Sequence, residues 1–359
     1  MTGPRLIATA TALPEYRVTQ QQVKEMCRVL FRGRPHLENR LSVFDHAGIL
    51  ERYFSFPLEY YFNGHTFAER NRDYVAQAKK LGAQVLREAL GRAHCGAEEI
   101  DQIYFVTTTG LATPSIDALL ASELGFRPDL QRYPLFGLGC AGGAAALARA
   151  AHALNRSEAL YHSLCSGTGQ ALGGKALVLS IELCGQTFLK SDLSMENLVG
   201  AALFGDGAAA VVLGQKGLGP HIVAWGSELF EGTREVMGWE FLDEGFKLVL
   251  STSVPEAIAG QVVPAVWRFL KRQGLTLGDI KHFLLHPGGS KVLSAYESSL
   301  GADLQWTRRS LERLGNLSSA SVLFMLHDLL ESGATRKGDL GLLVSVGPGF
   351  AMEAVLLQW

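Results

Sequence analysis

The order of helices, strands and glycine turns in the first half of the chain returns in the second. Apolar residues at helical spacing over 73–93 lead through Glu99-Ile100 into the run Ile103-Tyr104-Phe105-Val106; a helical pattern over 261–272 leads through Asp279-Ile280 into His282-Phe283-Leu284-Leu285. Gly139-Cys140, ahead of a small-residue helix at 141–154, matches Gly315-Asn316, ahead of Leu317-Ser318-Ser319-Ala320-Ser321 and another helix. Gly205-Asp206-Gly207 before a strand at 208–213 matches Gly347-Pro348-Gly349 before a strand at 351–357, two glycine-turned strand pairs. The offsets are about 180, 176 and 142 residues, so the order is kept while the first half carries about 34 more residues between its second and third elements. Any two α/β segments share one such echo. Three in order predict a duplicated α/β unit.

A duplicated layered fold needs a large interior. The 359 residues are 47% hydrophobic and 19% charged, which predicts strands covered on both faces, with further strands at 6–13, 135–139 and 176–181. The 33 basic and 35 acidic residues are mixed along the chain and leave no basic patch for nucleic acid. No run approaches the ~20 apolar residues that span a bilayer. The segment 6–13 has Arg5 as its one basic flank and is too short for a secretion signal, so it reads as a first strand. Cys27, Cys95, Cys140, Cys165 and Cys184 are odd in number and form no CxxC, which predicts a reducing, cytoplasmic setting and no zinc site. The forty glycines fall in clusters, and those clusters mark where backbone is expected to approach substrate.

Equivalent loops of a duplicated fold converge on its pseudo-twofold axis, which makes Cys140, Asn316 and His286 candidates for one central site. Cys140 opens a helix, where free N–H groups and the helix dipole favour a thiolate and are expected to lower its pKa. Ala141, Gly142 and Gly143 are expected to let substrate approach the sulfur. A small buried core residue is the alternative fate of such a cysteine. His286, before Pro287-Gly288-Gly289, can serve as the imidazolium partner of a thiolate or as a donor to an oxyanion. Asn316 has no proton to exchange; it is a helix cap or a donor to a carbonyl oxygen that gains charge during reaction.

With these residues the chain resembles the type III polyketide synthases, the chalcone synthase-like branch of the thiolase and ketoacyl synthase superfamily. The resemblance runs from about residue 7 to 357 through the segments 137–143, 198–208, 286–289, 315–321 and 346–350. It implies an α/β thiolase-like fold in a duplicated five-layered α-β-α-β-α arrangement. One half, 1–215, carries the nucleophilic cysteine, and the other, 216–359, carries the histidine and asparagine. It also implies a homodimer with a Cys140-His286-Asn316 triad, CoA thioesters as substrates and no further cofactor or metal.

By position in the family pattern, Phe204 is implied as a gatekeeper between cavity and CoA tunnel, and Gly288 and Gly289 as the path of the pantetheine arm. Thr108, Thr109, Cys184 and Thr187 are implied as cavity-lining, and Thr113, before Pro114, as reaching toward the partner subunit. Arg52 is expected as a surface cation for the CoA pyrophosphate. Thr113 stands where plant chalcone synthases have methionine, and the sequence is more similar to bacterial alkylpyrone and alkylresorcinol synthases. The implied activity is iterative decarboxylative condensation of malonyl-CoA onto a medium- or long-chain acyl-CoA starter, with an acyl carrier protein as a possible donor. A single-condensation ketoacyl synthase III-like enzyme and a catalytically silent CoA- or acyl-carrier-binding subunit are the alternatives. The stretch 155–175 is longer than the family usually has and is expected to be a surface excursion.

Overall fold

The segment Ala176–Leu183 reads ALVLSIEL and is buried at every position, so both of its faces need cover. Leu177, Leu179 and Ile181 pack into one core and Ala176 and Val178 into another, the period-two alternation of a strand set between layers. A computed structural model describes residues 3–160 and 174–359. The stretch expected as an excursion, and Cys165 with it, lies mostly outside them.

The strands in chain order are β1 (Arg5–Ala12), β2 (Tyr16–Thr19), β3 (Glu51–Phe54), β4 (Gln102–Val106), β5 (Gln131–Leu135), β6 (Ala176–Leu183), β7 (Asp206–Gly214), β8 (His221–Leu229), β9 (Met237–Leu242), β10 (Gly245–Leu250), β11 (Ile280–Leu285), β12 (Leu340–Gly347) and β13 (Ala351–Gln358). Nine of them follow the order β11-β12-β13-β8-β1-β7-β6-β4-β5, while β2–β3 and β9–β10 form separate pairs. The long order divides at the β1–β8 contact, which is the one residue pair Arg5 with His221. On either side the pattern is the same: β1 antiparallel to β7, β7 to β6, and β6 parallel to β4; β8 antiparallel to β13, β13 to β12, and β12 parallel to β11. The duplication is therefore present strand by strand.

Helices cover these strands in layers. Gly142–Leu160 and Ser321–Glu331 lie in the middle and pack Ala144, Leu147, Leu323 and Leu326 against Val178 and Val211 of one half and Leu343 and Val355 of the other. Phe67–Arg92 covers the outer face of the first half with Leu81, Val85 and Leu86. Its start is fixed by a capping box in which Thr66 and Glu69 satisfy each other's backbone N–H groups. Val263–Arg272 and Ser290–Leu300 cover the outer face of the second half with Val266, Phe269 and Tyr296. Helix, sheet, helices, sheet and helix make five layers.

Two local expectations need correction. The strand expected at 135–139 is Gln131–Leu135 instead, because Gly137 and Gly139 take φ of +87° and +48°, which a strand cannot hold. The second echo is also out of register. The single turns Gly139–Ala141 and Ser318–Ala320 are equivalent, and Gly139 and Ser318 share φ values of 48° and 49°. Ser319 is thus the counterpart of Cys140, and Asn316 lies three residues earlier.

Candidate active site

Cys140 sits in that turn, directly ahead of the central helix Gly142–Leu160. A Cβ on Gly139 would come within 2.3 Å of Pro348 Cδ, and one on Gly143 within 2.2 Å of the Ser319 carbonyl oxygen. These glycines are required by the contact between the two halves, and Gly139 also lines the cavity that Cys140 faces. The thiol donates to Ser318 Oγ at 3.6 Å. Cys140 is half-buried at the wall of a cavity, and burial pushes the thiol up to about 12. Ser318 and Asn316 act in the opposite direction, more weakly. The expected lowering by the helix terminus is therefore overridden.

His286 follows β11, and its N–H extends the ladder to Val344 O at 2.9 Å. Its carbonyl accepts from Gly288 N at 2.9 Å and so shapes the Pro-Gly-Gly turn. The imidazole is buried, which drives its pKa down to about 3 and keeps it neutral. Nδ1 is buried without a partner.

Asn316 is set by a seam between the halves. Its N–H donates to Leu203 O at 2.8 Å, and its carbonyl accepts from Gly205 N at 3.1 Å, so Phe204 and Asn316 form a parallel bridge. Asn316 Oδ1 accepts from Ser318 N at 2.8 Å, which leaves the Nδ2 amide as the donor available to a substrate.

Cys140, His286 and Asn316 line one cavity with an empty volume of about 770 Å³, together with Thr108, Cys184, Phe204 and Gly288. A narrow second pocket, lined mainly by apolar side chains such as Val23, Met26 and Phe188, shares Cys184, Phe204 and Leu248 with the first. Thr187 lines this second space, and its hydroxyl donates to Cys184 O at 2.7 Å.

Other candidates fall elsewhere. Thr109 Oγ1 donates to Glu182 Oε2 at 3.0 Å and accepts from Leu183 N at 2.9 Å, so it buttresses the site without lining the cavity. Gly289 caps the helix Ser290–Leu300 with φ of +121° and packs beside Leu203, behind the lining residue Gly288. Thr113 is exposed, immediately before the cis bond to Pro114. Arg52 is 0% exposed, so it is not a surface cation. Its Nη1 donates to the carbonyls of Ala201 and Phe204 at 2.7 and 3.2 Å, and burial brings its pKa down to about 9.

Four further residues belong to the site. Ser318 touches the nucleophile, and Trp239 of the β9–β10 hairpin lines the cavity and donates to Thr108 Oγ1 at 3.2 Å. Tyr296 lines the cavity from the helix after His286. Glu182 is fully buried, accepts from Thr108 N at 3.0 Å and from the hydroxyl of Ser319, and is raised to about 7 by burial. A lone acid in the strand ALVLSIEL is a visible signal, since a carboxyl between apolar layers needs donors of its own. Among the described residues no group of three or more His, Cys, Asp or Glu side chains is placed to hold a metal ion.

The arrangement can hold an acyl group on sulfur with two neutral donors beside it. The family description for the N-terminal domain of chalcone and stilbene synthases matches residues 3–217, and that for the C-terminal domain of 3-oxoacyl-(acyl-carrier-protein) synthase III matches residues 270–359. The chain is 37% identical to a 1,3,6,8-tetrahydroxynaphthalene synthase of Streptomyces peucetius subsp. caesius, over 99% of this chain and 93% of that one. It is 29% identical to the alpha-pyrone synthesis polyketide synthase-like Pks18 of Mycobacterium tuberculosis, over 97% of this chain and 89% of that one. The crystal structure of the 1,3,6,8-tetrahydroxynaphthalene synthase from Streptomyces coelicolor A3(2) superposes with a TM-score of 0.89 at 30% identity, covering 99% of each chain.

Proposed function

The chain belongs to the chalcone and stilbene synthase-like type III polyketide synthases, and from that premise we propose that it extends a medium- or long-chain fatty acyl-CoA with malonyl-CoA and releases an alkylpyrone or alkylresorcinol. The observation that carries the starter class is the apolar space next to the catalytic cavity. Cys184, Phe204 and Leu248 are common to both, and this apolar lining beside Cys140 supports a hydrocarbon starter.

The shared cavity supports the following roles. The resting thiol and imidazole are both neutral, so the Cys140 proton passes to His286 as the starter thioester arrives, and the sulfur attacks its carbonyl carbon. The tetrahedral oxyanion takes hydrogen bonds from Asn316 Nδ2 and the imidazole edge. CoA leaves as the thiol with that proton. Malonyl-CoA then places its thioester oxygen at the same donors, loses carbon dioxide, and its enolate attacks the acyl carbonyl on Cys140. The released sulfur is ready for the lengthened chain.

We further assign Phe204 and Gly288 to the approach of the pantetheine arm, no cofactor beyond the CoA substrates, and a homodimer in which Thr113 faces the partner. The exposed apolar side chains Leu111, Phe136 and Phe241 favour such a covered face. The test is incubation with malonyl-CoA and starters from acetyl to stearoyl, with mass analysis of products. Triketide and tetraketide pyrones or resorcinols from the longer starters are expected. Products of one condensation only would favour the ketoacyl synthase III-like alternative, and a preference for acetyl or malonyl starters would overturn the fatty acyl assignment.

A further inference from the structure

One wall of the catalytic cavity is built from Val254, Ile258, Val292 and Tyr296. Val292 and Tyr296 stand one turn apart on the buried stripe of the helix Ser290–Leu300, which begins directly after His286-Pro287-Gly288-Gly289. Ile258 opens a π-helical turn, Ile258–Val262, a local widening found often at functional sites. Tyr296 is 1% exposed, and its hydroxyl has no hydrogen-bond partner. Phenylalanine would fill the same apolar space without leaving a buried hydroxyl unpaired, a costly state for a polar group.

Other side-chain oxygens of this cavity are engaged. Thr108 Oγ1 accepts from Trp239, Asn316 Oδ1 accepts from Ser318 N, and Ser318 Oγ accepts from the Cys140 thiol. Among the described residues that line this cavity, His286 Nδ1 is the other buried side-chain N or O atom without a partner, and it belongs to the triad. Burial raises the Tyr296 pKa above its ordinary value, so the phenol stays a donor. A ketone oxygen that comes with the substrate can accept from this hydroxyl.

We propose that the Tyr296 hydroxyl docks a ketone oxygen of the growing poly-β-keto chain, making it a residue that favours the second and later condensations. A fatty acyl starter is hydrocarbon beyond its thioester carbonyl and offers no acceptor along this wall. The first condensation creates a ketone two carbons from the thioester, and each further one adds another. The inference rests on the iterative function proposed above and adds to it a polar anchor outside the triad.

The experiment compares wild-type enzyme with Tyr296→Phe, which keeps the ring. Three quantities are read: acylation of Cys140 by a fatty acyl-CoA by intact-protein mass spectrometry, malonyl-CoA decarboxylation, and the ratio of triketide and longer products to diketide. The product ratio is expected to fall roughly three- to tenfold, the worth of one neutral hydrogen bond, and acylation and decarboxylation to fall by clearly less. Thermal stability is expected to hold or rise. An unaltered product ratio from an iterating wild type would overturn the inference alone, as would a parallel loss of acylation, which would make Tyr296 a support of the triad. A wild type that stops after one condensation would overturn it together with the iterative function.

Discussion

The thiol of Cys140 donates to the hydroxyl of Ser318 across 3.6 Å, so the resting nucleophile is held by a neutral serine. Burial has raised the thiol to about 12 and lowered His286 to about 3, and between those limits both groups are uncharged. Alkylation of Cys140 by iodoacetamide should therefore keep climbing with pH through the alkaline range. A preformed thiolate–imidazolium pair would instead give a plateau by about pH 7. Inactivation rates measured from about pH 5 to 10 distinguish the two.

Asn316 Oδ1 is committed to Ser318 N, which aims one chemistry, donation from Nδ2, at the substrate oxygen. Asn316→Asp replaces that donor with a carboxylate facing a developing enolate. Malonyl-CoA decarboxylation should drop about 10²- to 10³-fold, the usual effect of losing one oxyanion donor. Acylation of Cys140 by the starter, followed separately, should suffer less. Full decarboxylation by the variant would contradict the assignment.

The residues legible in the sequence are those whose role is written into a short segment. Cys140, His286 and Asn316 each stand beside a glycine near the end of an element, and the fold brings them to one cavity. Residues governed by three-dimensional surroundings are not legible in this way. Arg52 looks like any solvated arginine, yet β2–β3 folds it beneath the helix Met195–Leu203. The helix terminus at Cys140 favours a thiolate locally, but desolvation is larger. Thr109 carries the same hydroxyl as Thr108 and lies one residue on, and the bend that follows β4 turns it toward Glu182. Trp239 and Tyr296 lie outside every segment that carried the resemblance, so their place in the cavity needed the structure.

Arg52 holds the carbonyls at the end of the helix Met195–Leu203, next to the Phe204–Asn316 bridge. The negative end of the helix dipole and two accepting oxygens balance part of the cost of burying its charge. Arg52→Met should lower stability by roughly 1–3 kcal/mol in urea unfolding, because those carbonyls lose their donor. KM for CoA thioesters should respond to salt as in the wild type. A KM increase in the variant that shrinks at high ionic strength would return Arg52 to the CoA phosphates.

Glu182 joins the two halves through Thr108, Thr109 and Ser319, and burial raises its carboxyl from an ordinary 4.5 to about 7. Because the folded value is the higher one, the fold binds the proton more tightly than the unfolded chain. The stability this contributes is complete below about pH 4.5 and is lost as the pH rises through about 7, an amount of roughly 3 kcal/mol. Glu182→Gln mimics the protonated acid: its oxygen can accept from Thr108 and Thr109, and its amide can donate to Ser319, whose pairing with Ser180 runs in either direction. Asp206, also raised by burial, to about 6, is common to both proteins and cancels in their difference. Urea unfolding at about pH 5 and about pH 8 should therefore show the wild type losing stability relative to the variant. A difference that does not change with pH would mean that Glu182 is already a carboxylate in the fold at about pH 5, as it is in the unfolded chain.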